Sequence, residues 1–420
     1  MRILFLTPQL PFPPHQGTQI RNYHLLRAAA AAHQVDLISF CREGESLAKA
    51  QPLLELCGQT KLVPAPPPRG RAARGRGMLT SLLPDLAHRL RSEVFAAALR
   101  SVAAGNRYDV IHVAGLEMAG YIPTAREAAP RAYVVFDDHN AEYRLQARAA
   151  AVDAGRMASW PRAAYSLVQS RRLRRYEGWA CQQSDAVLAV SESDAAALEM
   201  LGTRLRIQVV PNGVDTDYYR PTSDGQRDPF GLLFTGTMDY RPNVDAMRWF
   251  VTDVLPLVTA QQPEARLQIV GRSPDPTMTR LASAVGNVEV TGAVADVRPY
   301  FSRNSVFVVP IRMAGGARLK ILEALAMGLP IVTTRLGAEG IALAEGKEML
   351  PADSAEEFAA AVVRLLADRE LREQMSALGR QAAEDRFGWD RAAPRLLEAY
   401  ENSERRRRAD AGRADTEGQS

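Results

Sequence analysis

The patterning of the chain predicts an α/β protein of two doubly wound, parallel-sheet units. Short runs rich in Val, Ile and Leu recur without strict alternation, as in strands buried on both faces of a parallel sheet. Helical stretches separate them from end to end. The alternation is interrupted once, by a turn-rich segment at 211–231, and then restarts. At about 100–200 residues per domain, 420 residues suit two such units.

The first unit offers apolar runs at 2–7, 34–40, 108–113, 132–137, 186–190 and 206–211. Helical patterns at 18–33 and 92–105 lie between them. The second offers runs at 232–236, 266–271, 287–292, 305–310 and 329–334, and a helical pattern from about Asp353. The expected boundaries are 1–211, a linker at 212–230, 231–388, a helix at 389–404 returning to the first unit, and a disordered basic tail at 405–420.

Composition narrows the function. The hydrophobic fraction of 46% and charged fraction of 24% are those of an ordinary globular protein. Three cysteines, Cys41, Cys57 and Cys181, form neither a disulfide framework nor a CxxC metal pair. No apolar run approaches the ~20 residues of a membrane span, and the Pro-interrupted N-terminus does not read as a signal peptide. A cytoplasmic location is expected. The net charge of +4 is mild, so its placement matters more than its sum. Residues 64–91 carry six Arg against one Asp. No aromatics interleave with these arginines, which disfavours nucleic acid. Mixed apolar and basic residues at 78–91 suit an anionic membrane surface or a solvated loop.

Chemistry is expected past the carboxyl ends of strands, where open α/β sheets bind ligands. After the first strand, TPQLPFPPHQG leads through Gly17 into a helix whose N-terminus suits an anion. His139 lies in FDDHNAEYR among three acids, as a candidate proton donor or acceptor. His112, in mid-strand, reads as structural. In the second unit Gly236 ends the first strand, with a helix opening near Pro242-Asn243 toward the cleft, and the segments holding Gly271 and Val294 could let backbone groups meet a planar base. The segment 308–334 passes through Gly315 and Gly316 to a helix with Arg318 and Lys320 in its first turn. Cations oppose the dipole there, so their presence points to a bound anion such as a diphosphate. Glu323, further along, could accept hydrogen bonds from sugar hydroxyls.

These segments resemble glycosyltransferase family 4, retaining enzymes of the GT-B fold. PNGVD at 211–215 matches the family signature before its second domain, and 308–334 resembles its donor-binding motif, ending here in Glu323-Ala324. FTGTMDYRPNVDAMRWF, GGARLKILEALAMG, PFPPHQGTQIRNYHLL and HNAEY resemble a narrower group, sugar transferases of the exosortase/PEP-CTERM exopolysaccharide system. The resemblance implies two Rossmann-like domains facing across a cleft. It implies a nucleotide-diphosphate sugar as donor, a glycan or lipid-linked acceptor, and no metal requirement. Gly17 would lie near the diphosphate and His139 near the transferred sugar. Arg318 and Lys320 would neutralise the leaving diphosphate, and Glu323 would hold the ribose. Gly315 stands where the family often has a first Glu, and Thr237 and Pro242 lie where it has Arg and Lys. That departure leaves a non-catalytic sugar-binding subunit as an alternative. A nucleotide-sugar epimerase would need a further acid/base constellation. Asp215-Thr-Asp217 imitates a metal motif and is read as structural.

Overall fold

A computed structural model describes all residues except 43, 46–49, 156–159, 203–206, 222–226, 314–318 and 418–420. The side chains of residues 71, 403, 404 and 406–417 are also not described. The chain divides into two compact units, Met1–Pro211 with Ala392–Ser420, and Asn212–Arg391.

In the first unit all strands of the sheet run parallel, in the order β3-β2-β1-β4-β5-β6-β7. The strands are β1 (Arg2–Thr7), β2 (Gln34–Cys41), β3 (Gln59–Pro64), β4 (Val110–Ala114), β5 (Tyr133–Asp138), β6 (Ala186–Ala189) and β7 (Ile207–Val209). The helices that matter below are α1 (Gly17–Ala30), α2 (Arg71–Thr80), α3 (Glu142–Ala154), α4 (Trp160–Gln182) and α5 (Glu192–Glu199). In the central strands the apolar runs are buried on both faces, as the lack of alternation predicts: Ile3, Leu4, Phe5 and Leu6 are all sealed from solvent. Strand β3, QTKLVP, went unread because it is an edge with polar residues on its open face.

The second unit has the order β10-β9-β8-β11-β12-β13, again parallel. Its strands are β8 (Gly231–Thr235), β9 (Arg266–Val270), β10 (Val288–Gly292), β11 (Val306–Val309), β12 (Ile331–Thr333) and β13 (Leu350–Pro351). Helices α6 (Arg241–Trp249) and α7 (Leu319–Ala326) follow β8 and β11. Each sheet has one point where the chain reverses its direction of winding, between β1 and β4 and between β8 and β11. Ligands of doubly wound sheets bind at the carboxyl ends of such strands.

Three expectations about organisation need revision. Segment 212–230 is no free linker, because its described residues are built into the second unit. The Val214 N–H donates to the Phe387 carbonyl at 2.8 Å. Arg227 donates to the carbonyls of Gly328 and Met327. The tail expected to be disordered from 405 is helical as far as Glu417, in α8 (Trp389–Glu417). Arg and Ala are good helix formers, and Glu401 and Arg405 pair one turn apart at 3.6 Å. Finally, the arginines of 69–91 are not six free charges. Arg69, Arg74 and Arg89 gather on Asp85 at 2.7, 3.8 and 3.7 Å. Next to them, Leu79, Leu82 and Leu83 are 90%, 82% and 41% exposed. No described helix is long and apolar enough to cross a membrane.

Candidate functional site

In the first unit the candidate chemistry gathers on one carboxylate. Asp137, near the end of β5, is fully buried. Arg21 of α1 grips it through two hydrogen bonds, Nε to Oδ2 at 2.9 Å and Nη2 to Oδ1 at 2.6 Å. The third arm of the fork, Nη1, donates to the Val210 carbonyl at 2.9 Å. His112 and His139 both bring Nε2 toward Asp137 Oδ2, at 3.6 and 3.3 Å. Burial alone would raise the Asp137 carboxyl, but Arg21 and the two imidazoles hold it well below the usual carboxylate range. Burial pushes His112 down, which keeps it neutral. Its Nδ1 lies 2.8 Å from the Tyr400 hydroxyl on α8, and its ring stacks on Phe5. His112 is thus the structural histidine that its mid-strand position predicts.

His139 is the exposed member of the group, with 13% of its side chain open to solvent. Gly115, just past β4, keeps φ at +84°, and a Cβ there would sit 3.5 Å from the His139 ring. The backbone turn therefore needs glycine and leaves the imidazole room. Gly17 opens α1, the helix that Arg21 anchors, and is exposed.

Behind His139 lies a pocket of acids. Glu177 of α4 accepts hydrogen bonds from the Glu142 and Tyr143 N–H groups at 2.6 and 2.9 Å, capping the start of α3. Asp194 of α5 accepts one from Ala141 N–H. Asp138 is buried, and neither carboxylate oxygen has a hydrogen-bond partner among the described residues. Burial, reinforced by the neighbouring carboxylates, pushes Asp138 and Glu177 well above the usual range and Glu142 up to about 7.

In the second unit the site forms past β8 and β11. Gly236 follows β8, and a Cβ there would come within 2.7 Å of Lys320 Nζ and Asn243 Nδ2. A Cβ on Gly271, which follows β9, would fall on the Gly236 carbonyl. Lys320 Nζ donates to Asn243 Oδ1 at 2.9 Å and lies 4.0 Å from the Phe234 ring centre. Asn243 Nδ2 in turn donates to the Thr237 carbonyl. The Tyr219 hydroxyl donates to Glu323 Oε1 at 3.1 Å, and Oε2 has no such partner among the described residues. Burial raises the Glu323 carboxyl, opposed by Tyr219 and Lys320.

Lys320, Gly236 and Gly271 are thus brought together, and Glu323 stands one turn along α7. Val294 packs half-buried against the core. Gly315, Gly316 and Arg318 lie outside the described residues. Asp215 Oδ1 caps a turn, accepting from Asp217 and Tyr218 N–H. Sequence reasoning missed Asn243, Tyr219, Asp137 and Arg21. A Pro-Asn pair opening α6 was the available signal for Asn243, while Arg21 carried none.

Two parallel-sheet units of this winding fit the GT-B fold. Residues 15–218 match the family model Glycosyltransferase Family 4, and residues 229–368 match Glycosyl transferases group 1. The chain belongs to the GT-B glycosyltransferases of family 4 and is an enzyme of the hexosyltransferase type. It is 24% identical to spore coat protein SA of Bacillus subtilis over 333 residues, which are 71% of this chain and 79% of that protein. It is 29% identical to a GDP-mannose-dependent α-(1-6)-phosphatidylinositol monomannoside mannosyltransferase of Mycobacterium tuberculosis over 219 residues. That match spans 47% of this chain and 56% of the mannosyltransferase. Among solved structures, sucrose-phosphate synthase from Thermosynechococcus elongatus superposes with a TM-score of 0.71 at 18% identity, covering 96% of this chain and 99% of that one. The Anabaena HepE protein in complex with UDP-glucose gives 0.65 at 14% identity, covering 96% and 100%. At these identities the structural likeness speaks to the fold.

Asp137→Asn should destabilise the first unit by about 3–5 kcal/mol, because it leaves the Arg21 guanidinium buried without its counter-charge. Denaturant unfolding measures this, and a loss within experimental error would show that the pair is dispensable. The Glu142 contribution to stability should also fall as pH rises from 4.5 to about 7, the window between its ordinary and folded values. Above its unfolded value the folded state must hold a carboxylate it disfavours, and the loss is complete once Glu142 has ionised. Asp138 and Glu177 add the same sign. His112, being lowered, acts in the opposite sense below its ordinary 6.5, and Asp137, also lowered, does so only below its ordinary 3.8. Across that window the thermal midpoint of the wild type should drop relative to that of Glu142→Gln as pH rises; equal slopes would remove Glu142 as a cause.

Proposed function

We propose that this chain transfers a hexose, with retention, from a nucleoside-diphosphate sugar to a saccharide or lipid-linked saccharide acceptor in cell-surface exopolysaccharide synthesis. The observation that carries the donor reading is Lys320. Its ammonium stands at the winding reversal of the second sheet, where Gly236 and Gly271 let it and the neighbouring backbone approach closely. The Anabaena neighbour, whose structure holds UDP-glucose, supports the same donor class.

In this reading Lys320, with Arg318, neutralises the diphosphate as the bond from the anomeric carbon to its oxygen breaks. Glu323 Oε2 accepts hydrogen bonds from the ribose. The acceptor hydroxyl attacks the same face of the sugar, its oxygen bonds to the anomeric carbon, and its proton passes to the departing phosphate. His139, held by Asp137, hydrogen-bonds the transferred sugar. The two cations take the part that a metal would play, so the reaction proceeds without one. The exosortase-associated exopolysaccharide system is the expected setting.

A lipid-linked acceptor is met at the cytoplasmic face of an anionic membrane. The support is the stretch at and after the end of α2, where Leu79, Leu82 and Leu83 are exposed, as are Arg76 and Arg91. Burying a leucine contributes about 1.5–3 kcal/mol, so these side chains outweigh the arginines that Asp85 already engages.

Nucleoside diphosphate should be released from UDP-glucose, GDP-mannose or a related donor when acceptor extract is added. Lys320→Met should lower turnover more than it raises the Michaelis constant, since leaving-group charge grows in the transition state. Donor binding without release would instead favour a sugar-binding subunit. Liposome flotation checks the membrane reading: wild type should rise with anionic vesicles, and Leu79→Ser/Leu82→Ser should not. Equal flotation of the two proteins would dismiss this face as the docking surface.

A further inference from the structure

Helix α4 carries a group of cations that none of this chemistry uses. Arg171, Arg174 and Arg175 lie on one face, at i, i+3 and i+4, and line a cavity of about 490 Å³ with Gly178, Trp179, Gln182 and Leu201. All three guanidiniums are exposed. Among the described residues no carboxylate lies within ion-pair distance of any of them. Some arginines elsewhere do have such a partner. Arg126 has Asp185 at 2.9 Å, Arg298 has Asp296 at 2.7 Å, and Arg312 has Asp245 at 2.9 Å. Glu177, the acid of α4 nearest in sequence, is buried and occupied with the N–H groups that open α3.

Like charges one helical turn apart destabilise a helix by a few tenths of a kcal/mol per pair, roughly. Here three share one stripe and no acid offsets them. An anion between them would. Trp179 gives the cavity an aromatic wall whose orientation is fixed, since its ring stacks on Tyr176 at 5.3 Å and 19°. Leu201, which follows α5, adds an apolar contact. Guanidinium forks recognise phosphate oxygens in bidentate fashion, and the wall suits an apolar group joined to that phosphate.

We propose that this cavity is a phosphate-binding site, separate from the donor site of the second unit, for a phosphomonoester or diphosphate. The ligand is either a soluble phosphate compound or the head group of a phospholipid. The inference does not depend on the donor reading, because no residue of the cavity belongs to that site.

The test uses the full chain with two probes, inorganic pyrophosphate and dihexanoyl phosphatidate below its micelle concentration. Titration calorimetry reports affinity, and tryptophan emission compared with Trp179→Phe reports the location. The variant is Arg171→Gln/Arg174→Gln/Arg175→Gln, which keeps helix propensity and should keep the wild-type melting temperature. Binding of either probe should change the Trp179 emission, weaken with salt and lose about tenfold or more in affinity in the triple variant. Binding of pyrophosphate identifies a soluble source, and binding of phosphatidate alone identifies a lipid head group. If neither probe changes the Trp179 emission, or if that change survives in the triple variant, the proposal is overturned, since pyrophosphate held at the donor site would leave Trp179 unaffected.

Discussion

A buried carboxylate cannot stay ionised without partners, and the first unit is arranged around meeting that demand at Asp137. Desolvation of such a charge costs several kcal/mol, so the protein must supply a counter-charge and hydrogen bonds in the same place. Arg21 supplies both, and its remaining donor takes the Val210 carbonyl. One guanidinium thereby ties α1, the end of β5 and the stretch after β7. The angle at which α1 leaves β1 follows from this anchor, as does the position of the Pro-rich loop between them. His112 and Tyr400 bring β4 and α8 into the same network. His139 is the member left facing solvent, and it inherits its placement from a carboxylate that packing forbids to move.

The second unit reaches its ligand geometry by different means. Absent side chains, rather than buried charge, make the room. Gly271 sits so close to the Gly236 carbonyl that no Cβ fits, and Gly236 clears the space that Lys320 and Asn243 fill. Lys320 lies at a helix start, where the dipole opposes a cation. Asn243 Oδ1 and the face of Phe234 compensate by presenting partial negative charge. The ammonium is therefore oriented before any anion arrives, and little reorganisation remains for the reaction.

Much of this was legible in the residues, and the rest was hidden for identifiable reasons. Runs such as RILFLT and SVFVVP announce parallel strands because both faces are covered. Strand β3 escaped because an edge strand keeps polar residues, and β13 because Leu350–Pro351 is too short to show a pattern. His139, Gly236, Gly271, Lys320 and Glu323 stand out in the sequence because open α/β sheets bind ligands past their strand ends. Arg21 could not be matched to Asp137, 116 residues away, because charge pairing across a fold leaves no local trace. The arginines of 69–91 misled for the converse reason. Composition counts charges, while only the folded chain shows that Asp85 collects three of them.

The segment after Pro211 illustrates how one stretch can look like a linker and act as part of a site. Turn residues dominate it, but several have a specific task. Gly213 packs against the backbone of Trp389, where a Cβ would come within 2.9 Å of both N and Cα, so no other residue fits without moving the chain. Val214 is buried and pairs with Gly388. Asp215 spends its carboxylate on the N–H groups of Asp217 and Tyr218, closing the turn that delivers Tyr219. Tyr219 then donates to Glu323 Oε1. The hydrogen bond fixes one carboxylate oxygen and leaves the other without a donor among the described residues. It also counters the burial that raises the Glu323 carboxyl, favouring the ionised form that a sugar hydroxyl would meet. The turn-rich segment that marks the start of the second unit thus sets the state of a carboxylate on α7, and its residue types follow from that task.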